Sequence, residues 1–257
     1  YGSAVIPKLR WLFAQEAEAR KAKGPEPGAS PDGLRDLSDW PVGFFRELNV
    51  SWKDMRRQGS PGRAPRLHPQ KSLSLGRVLE LGAGPFTKLR ALFQRRPDLT
   101  VSSLMAVDPL YAQQGLAFSA GGSIVLNGAS VPVETVASGA EELLLDEPKR
   151  HLEAYDTVIM FNVIEHTYNA FATMYVAYKI LKHGGLFVFQ ERSVSLDAAD
   201  QSYHPVRLTV PFFEWFLELL FEKEHYTLQR PRGVFDSQFV VGDLWYVGRK
   251  RHTPKWL

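Results

Sequence analysis

The feature that most constrains the fold is an almost unbroken apolar run from Tyr155 to Ile164. A strand buried on both faces has this composition, and such strands occur in parallel sheets that helices cover on both sides. Helical periodicity alternates with the other apolar runs, as it does in βαβ units. The pattern therefore predicts a doubly wound, mostly parallel α/β sheet. The other predicted strands cover 77–81, 101–107, 131–136 and 186–189.

The clearest helix is predicted over 169–182, where apolar side chains recur at helical spacing. Asn169 is placed to cap its N-terminus, and Gly184-Gly185 are expected to end it. Further elements predicted from the same patterns are helices over 86–96 and 209–221 and a hairpin that turns at Gly242-Asp243.

The composition of the chain changes near residue 72. The preceding part, 1–71, contains a helical pattern over 4–23, followed by loops rich in proline and glycine. Of the net charge of +3, the stretch 50–71 carries +5 and the remainder, 72–257, carries −2. We therefore expect an N-terminal helical extension with a basic linker, followed by one domain. The sequence opens without methionine, so we also expect it to be an excerpt of a longer or processed chain.

Two glycines follow the first predicted strand, in Glu80-Leu81-Gly82-Ala83-Gly84. Glycines at a strand-to-helix turn let a ligand approach the backbone, and the start of the next helix supplies N–H groups. No string of the form GxxxxGK[ST], which phosphate-binding P-loops need, is present. Thr87 stands where a dinucleotide-binding turn would have its third glycine. What remains is a ligand-binding turn with two glycines and a preceding acid.

These five residues have the acid-x-Gly-x-Gly form of the first motif of the class I S-adenosylmethionine-dependent methyltransferases, a family that the sequence resembles. The resemblance extends in the expected order over about 72–193 and includes Val107-Asp108-Pro109, the segment 155–166 and the segment 182–189. The pair Glu165-His166 after the fourth strand is most similar to the small-molecule branch. The resemblance implies a Rossmann-like sheet of seven strands and S-adenosylmethionine as the cofactor.

The resemblance also implies which residues bind the cofactor. Asp108 would accept hydrogen bonds from both ribose hydroxyls, and Glu80 would meet the cation of the methionine moiety. This branch commonly has an aspartate that contacts the adenine amino group, and Gly139 stands at that position here. We therefore expect adenine to be held by the backbone near Ala140 or by Glu141. The full predicted set is Glu80, Gly82, Ala83, Gly84, Asp108, Pro109, Ala140, Glu141 and Asn162.

Residue types exclude several acceptor classes. The chain has no cysteine, which excludes pyrimidine C5 methylation by a cysteine nucleophile as well as thiolate zinc sites. Phe161-Asn162-Val163-Ile164 differs from the Asn/Asp-Pro-Pro-aromatic string of enzymes that methylate adenine or cytosine amino groups. The paired-glutamate loop of protein arginine methyltransferases is not found. No apolar run reaches 18 residues, so no membrane span is predicted.

An oxygen acceptor needs a proton acceptor, because a hydroxyl is a poor nucleophile until it loses its proton. His166 and Glu191 follow strands whose carboxyl ends lie at the ligand-binding edge of the sheet, and His204 lies in the connection beyond. We expect these three to be catalytic, with a purely structural role as the alternative. Asn162 stands where some relatives have a metal-binding acid, so no metal is predicted. The predicted substrate contacts are Tyr203, Arg192 and Arg207.

These residues predict O-methylation of a small polar acceptor, with a sugar hydroxyl of a glycan or glycosylated metabolite as the best candidate. The alternative enzymes are an N-methyltransferase of a small amine and a nucleic-acid methyltransferase that uses 50–71 as a basic arm with Trp52. A solvated linker is the interpretation that we favour for this stretch, so no nucleic-acid partner is expected. The third alternative is a module that keeps the fold without the chemistry.

Overall fold

The computed structural model describes the part of the chain that forms the sheet and its flanking helices. The described residues are 73–84, 87, 89, 92–93, 98–109, 111, 122–146, 148–194, 209–229 and 240–252. The expected extension over 1–71 lies outside them, so the boundary near residue 72 stays a prediction. Of the helix predicted over 86–96, the described residues Leu89, Leu92 and Phe93 are helical and buried.

One large sheet dominates the described residues. Their strands are β1 (Leu73–Ser74), β2 (Arg77–Leu81), β3 (Leu99–Thr100), β4 (Ser103–Val107), β5 (Ser123–Leu126), β6 (Ala129–Val136), β7 (Tyr155–Phe161), β8 (Leu181–Val194), β9 (Phe221–Gln229) and β10 (Val240–Lys250). Eight of these form a sheet in the order β5-β6-β4-β2-β7-β8-β10-β9, and β1 pairs with β3 separately. The strands from β6 to β8 in that order are parallel, whereas β5, β10 and β9 run antiparallel to their neighbours. The doubly wound α/β fold is confirmed, with β5 added at one edge.

The strand β7 shows why the sheet must be covered on both faces. Its residues alternate between two apolar clusters, with Val158 and Met160 in one and Ile159 and Phe161 in the other. Each cluster also contains residues from helical segments, such as Met174 on one face and the segment around Leu89 on the other. The predicted central strand is therefore confirmed. It ends at Phe161, and a single 3₁₀ turn over Ile164–His166 follows.

The helices follow the expected pattern at their N-termini. They are α1 (Leu143–Asp146), α2 (Pro148–His151), α3 (Ala170–Ile180) and α4 (Val210–Leu220). The Asn169 side chain caps α3, since its Oδ1 accepts a hydrogen bond of 3.0 Å from the backbone N–H of Ala172. Pro211 lies in the first turn of α4, as predicted. No helix in the described ranges has the length and apolar composition of a bilayer span.

The C-terminus of α3 differs from the prediction. The helix ends at Ile180 rather than Lys182, and Leu181 already belongs to β8. The backbone N–H groups of Glu153 and Ala154 donate to the carbonyls of Lys179 and Ile180, each over 3.0 Å. Contacts from a distant turn thus satisfy the last carbonyls of the helix, and the glycines at 184–185 lie inside β8 instead of ending α3.

The hairpin predicted at Gly242-Asp243 is wrong. Both residues lie within β10, where Gly242 pairs with Ser193 and Asp243 pairs with Arg192 of β8. A register shift occurs between Val240 and Gly242, so the glycine marks an irregularity of a continuous strand. A Gly-Asp pair between apolar residues is compatible with either structure, and the pairing with β8 decides between them.

Candidate active site

The carboxyl ends of β2, β4 and β7 form the edge where the predicted site residues meet. Leu81, the last residue of β2, pairs with Val107 on one side and with Met160 on the other. The chain leaves β2 toward β4 and β6 and later returns to β7 on the opposite side, so the strand order reverses at β2. Open α/β sheets bind their ligands in the crevice at such a point.

The glycine turn after β2 requires its first glycine on steric grounds. Gly82 has φ +63°, and a Cβ there would lie 2.5 Å from Cγ2 of Val163. Gly84 has φ +61°, but a Cβ there would meet no atom of the described structure within 4 Å. The turn is therefore packed against the segment after β7 on one side and open to a ligand on the other.

Asp108 fixes the far side of this turn. Its buried carboxylate accepts a hydrogen bond of 2.8 Å from the backbone N–H of Gly84 through Oδ2. The turn is also held to β4 by the Val107 carbonyl, which accepts from the N–H groups of Gly82 at 2.8 Å and Ala83 at 3.2 Å. Asp108 and the glycine turn are thus one rigid unit, and Pro109 follows directly in the next turn.

Glu80 lies beneath the turn rather than on its surface. Its side chain is buried, and the hydroxyl of Thr87 donates a short hydrogen bond to Oε2. Thr87 in turn accepts from the backbone N–H of Leu89 at 3.1 Å. Burial, with the negative charges of Glu80 and Asp108, raises the pKa of the Tyr111 phenol. Thr87 was noticed in the sequence only as a missing glycine, yet it joins the acid of the motif to the segment that follows.

The turn after β7 brings a second acid into the site. Glu191 is buried, and its Oε2 accepts hydrogen bonds from the backbone N–H of Val163 at 3.0 Å and of Ile164 at 2.7 Å. Asn162 has the unusual φ of +56° and donates its N–H to the Gln190 carbonyl at 2.8 Å. The Glu191 carboxylate therefore holds the backbone of this turn. Its predicted role as a proton acceptor stays a prediction, which these contacts do not favour.

His166 stands at the end of the 3₁₀ turn and is accessible. Its side chain is 24% exposed, and Nε2 lies 3.6 Å from Oε1 of Glu165, whose side chain is only 5% exposed. The turn is closed by hydrogen bonds from His166 N–H to the Val163 carbonyl and from the Thr167 hydroxyl to the Ile164 carbonyl. The arrangement presents an imidazole that is backed by a buried carboxylate.

The segment after β6 lies next along the edge. Ala140 and Glu141 are buried there, and Oε1 of Glu141 accepts a hydrogen bond of 3.0 Å from the backbone N–H of Tyr168. Burial raises the pKa of Glu141, and backbone hydrogen bonds oppose that shift in part. Glu141 thus links the segment after β6 to the segment after β7.

The remaining predicted contacts lie where the structure gives no side-chain geometry. The backbone of Arg192 is part of β8, opposite Asp243, near the carboxyl end of that strand. Tyr203, His204 and Arg207 lie outside the described residues. Within the described ranges, no cluster of three or more potential metal ligands is present.

The residues at this edge suit S-adenosylmethionine. The open side of Gly84 leaves space for a ligand against the backbone, and the turn does not have the GxxxxGK[ST] sequence of a phosphate-binding loop. Acidic side chains at Glu80 and Asp108 give the surroundings a negative charge, which suits a cofactor with an ammonium and a sulfonium cation. Asp108 and the segment 138–142 follow adjacent strands, in the order in which a ribose and an attached base would meet them.

Comparison with solved structures gives the same fold. The chain is similar to the MccD protein, with 12% identity, a TM-score of 0.51, and coverage of 68% of this chain and 90% of that one. It is also similar to a protein from Listeria monocytogenes described as an S-adenosylmethionine-dependent methyltransferase, with 14% identity, a TM-score of 0.51, and coverage of 82% and 99%. No curated protein matches the sequence.

The family model described as a methyltransferase domain matches residues 52–232, which is more than half of the chain. That match includes the glycine turn, Asp108 and the Glu165-His166 turn. The chain therefore belongs to the methyltransferase-domain family and is a class I S-adenosylmethionine-dependent methyltransferase.

Proposed function

We propose that this methyltransferase transfers the methyl group to a hydroxyl oxygen of a small polar acceptor, with a sugar hydroxyl as the best candidate. The observation that carries the proposal is the accessible His166 imidazole beside the buried carboxylate of Glu165. This pair lies in the 3₁₀ turn after β7, the strand beside β2 and its glycine turn, at the edge where we expect the cofactor. A hydroxyl acceptor requires such a base, because its oxygen becomes nucleophilic only as the proton leaves.

In this proposal the His166 imidazole is the proton acceptor, and Glu165 is the carboxylate beside it. Nε2 of His166 lies 3.6 Å from Oε1 of Glu165, so the buried carboxylate stands beside the ring that would accept the proton of the hydroxyl. S-adenosylmethionine, when bound, supplies an electrophilic methyl group. As the acceptor oxygen bonded to that carbon, the carbon–sulfur bond would break and release S-adenosylhomocysteine. The hydroxyl proton would pass to the His166 imidazole, and Glu165 would stabilise the imidazolium.

Glu191 has a positioning role in this proposal. Its two hydrogen bonds to backbone N–H groups fix the start of the turn, two residues before His166. The imidazole is therefore held by the backbone rather than by a flexible loop, which favours a fixed distance to the acceptor oxygen.

The choice of a sugar rests on the polar residues predicted to face the acceptor. Tyr203, His204 and Arg207 are close together in the sequence, and Arg192 precedes them. Side chains of this kind donate hydrogen bonds to hydroxyl groups on several sides of a ring. The residue patterns of nucleic-acid and protein-arginine methyltransferases, by contrast, are absent from the sequence.

Incubation of the protein with methyl-labelled cofactor and a panel of glycans, small amines and RNA tests the proposal. We expect label on glycan or glycoside hydroxyls, and at least a tenfold decrease in transfer for His166→Gln. His183→Gln is the matched control, because His183 also lies beside a glutamate, with Nε2 3.2 Å from Glu153 Oε1, but at the amino end of β8. Transfer only to amines or to RNA would contradict the proposal.

A further inference from the structure

The segment after β6 contains two adjacent glutamates whose carboxylates differ in availability. Glu141 is 8% exposed, and Oε1 is bonded to the N–H of Tyr168. Glu142 is only partly buried, and its Oε2 accepts a long hydrogen bond of 3.3 Å from the backbone N–H of Gly139. Of the two, Glu142 therefore has the carboxylate that can turn toward a ligand at lower cost.

Gly139 leaves a space that the Glu142 carboxylate fills. A Cβ at position 139 would lie 3.1 Å from Oε2 of Glu142 and 3.4 Å from Oε2 of Glu141. The first distance is shorter than most real Cβ contacts, so a side chain at 139 would require the Glu142 carboxylate to shift by a few tenths of an ångström. A carboxylate thus stands beside position 139 although the residue there has no side chain.

The order of the strand ends places this carboxylate in the cofactor site. From β2 outward, the edge carries the glycine turn, then Asp108, then the segment 138–142. With the methionine part of the cofactor at the glycines and the ribose at Asp108, as the resemblance to the family implies, the base would reach the third strand end. Adenine presents an exocyclic amino group, which is a hydrogen-bond donor and calls for an acceptor in the protein.

We infer that Glu142 accepts the hydrogen bond from the adenine amino group and so selects adenine over bases that lack this donor. The role falls to Glu142 and not to Glu141, which instead binds the backbone at Tyr168. Burial and the charges of Glu141 and Glu142 raise the pKa of the nearby Tyr168 phenol to about 12. The neutral phenol can donate to the Glu142 carboxylate and hold it in place.

A capping role alone would explain the bond between Glu142 and Gly139. Position 142 is three residues after 139, and its carboxylate accepts from the N–H at the start of the turn that precedes α1, which is a local structural bond. Such a role predicts a loss of stability on substitution, and it predicts no change in the preference between bases. The two explanations are therefore separated by binding measurements that compare two purines.

Calorimetry with S-adenosylhomocysteine and with its hypoxanthine analogue, which has an oxygen in place of the amino group, makes this comparison without any acceptor. We expect the wild-type protein to bind the adenine compound at least tenfold more tightly, since hydrogen bonds to charged groups contribute about 1.5–3 kcal/mol. Glu142→Gln should reduce the ratio to near one, because an amide can accept from one base and donate to the other. Glu134→Gln is the matched control, an exposed acid on β6.

A second set of variants places a carboxylate at position 139 itself. Glu142→Ala should lose the preference for adenine, and Gly139→Asp combined with Glu142→Ala should restore it, because the crowding Oε2 is gone. Unchanged base preference in Glu142→Gln, or a double variant no better than Glu142→Ala, would overturn the inference. Neither outcome depends on which acceptor the enzyme uses.

Discussion

The carboxylate of Glu191 and the backbone of Ile164 are joined by a buried hydrogen bond, with 2.7 Å between Oε2 and the nitrogen. The same oxygen accepts from Val163 at 3.0 Å. Both N–H groups stand at the start of the turn that carries Glu165 and His166. One acid on β8 therefore determines where the imidazole at the end of β7 is held.

We predict that Glu191→Gln lowers both stability and methyl transfer while leaving the shape of the pH–rate profile unchanged. Hydrogen bonds to a charged acceptor contribute about 1.5–3 kcal/mol, so the melting temperature should fall by several degrees. Transfer should fall at least tenfold because the imidazole is displaced. The checks are thermal unfolding and rates measured across pH, with Glu222→Gln on the exposed part of β9 as control.

The pH profile separates the two roles of Glu191. A residue that only positions His166 changes the amplitude of the profile, whereas a residue that accepts the proton changes its shape when it is removed. If the rate of Glu191→Gln no longer depended on pH as the wild-type rate does, Glu191 would be a proton acceptor and not only a positioning residue. His166→Gln should alter the shape in either case.

A second prediction concerns the steric requirement at Gly82. A Cβ there would lie 2.5 Å from Val163 Cγ2, so Gly82→Ala must displace the turn after β7 as well as its own. We expect a loss of more than about 2 kcal/mol in stability, together with loss of cofactor binding. Gly84→Ala should cost only about 1–2 kcal/mol, because its φ is positive but the space around it is open.

Val163→Ala tests whether the clash is the cause. In the Gly82→Ala background this change removes both Cγ atoms, and the next nearest atom, Val163 Cβ, is 3.2 Å from the new methyl group. The double variant should therefore recover part of the stability lost by Gly82→Ala. Urea unfolding measures the stability of the two single variants and of the double variant. If the double variant lost as much stability as the two single variants together, the contact with Val163 would not be responsible.

The sequence predicts the sheet well because its signals are local. A strand that is buried on both faces has apolar residues at consecutive positions, as Val158–Phe161 of β7 has, and the glycine turn follows directly after β2. The end of α3 and the path of β10 were mispredicted, because partners distant in sequence decide them. The N–H groups of Glu153 and Ala154 end the helix, and pairing with β8 keeps Gly242 inside a strand.

The candidate site also contains residues with local sequence signals and residues whose partners are distant in the sequence. Gly82 is identified by the spacing of the glycine motif, and Asp108 by the resemblance to the family at the end of the next strand. The bonds of Glu191 to the turn after β7 connect positions 27 and 28 residues apart, so no local pattern contains them.

A third prediction concerns Lys250, a buried lysine at the other end of the sheet. Its Nζ donates to the Leu181 carbonyl at 2.7 Å and to Glu153 Oε1 at 3.0 Å, and it lies 4.7 Å from the centre of the Tyr178 ring. Lys250→Met keeps the length of the side chain but leaves that carbonyl without this donor. We expect a loss of about 1–3 kcal/mol in stability with cofactor affinity unchanged.

Glu153→Gln is the informative companion of Lys250→Met. The Glu153 side chain is 50% exposed, so the ion pair itself should contribute at most about 1 kcal/mol. Chemical unfolding of both variants measures the difference. A Glu153→Gln loss as large as that of Lys250→Met would show that the charge pair, rather than the bond to Leu181, stabilises this end of the sheet.

The last prediction is a pH dependence of stability that arises from Glu141. Burial raises the pKa of this carboxyl in the folded protein, so the folded state holds its proton at pH values where the unfolded state has lost it. The free energy of unfolding therefore falls as pH rises from the ordinary glutamate pKa of about 4.3 to the raised pKa of the folded protein. The loss persists at higher pH. Glu141→Gln has no such titration and can still accept from the N–H of Tyr168. Unfolding measured from pH 4 to 8 should show the variant gaining on wild type as pH rises, and a constant difference would place the raised pKa in doubt.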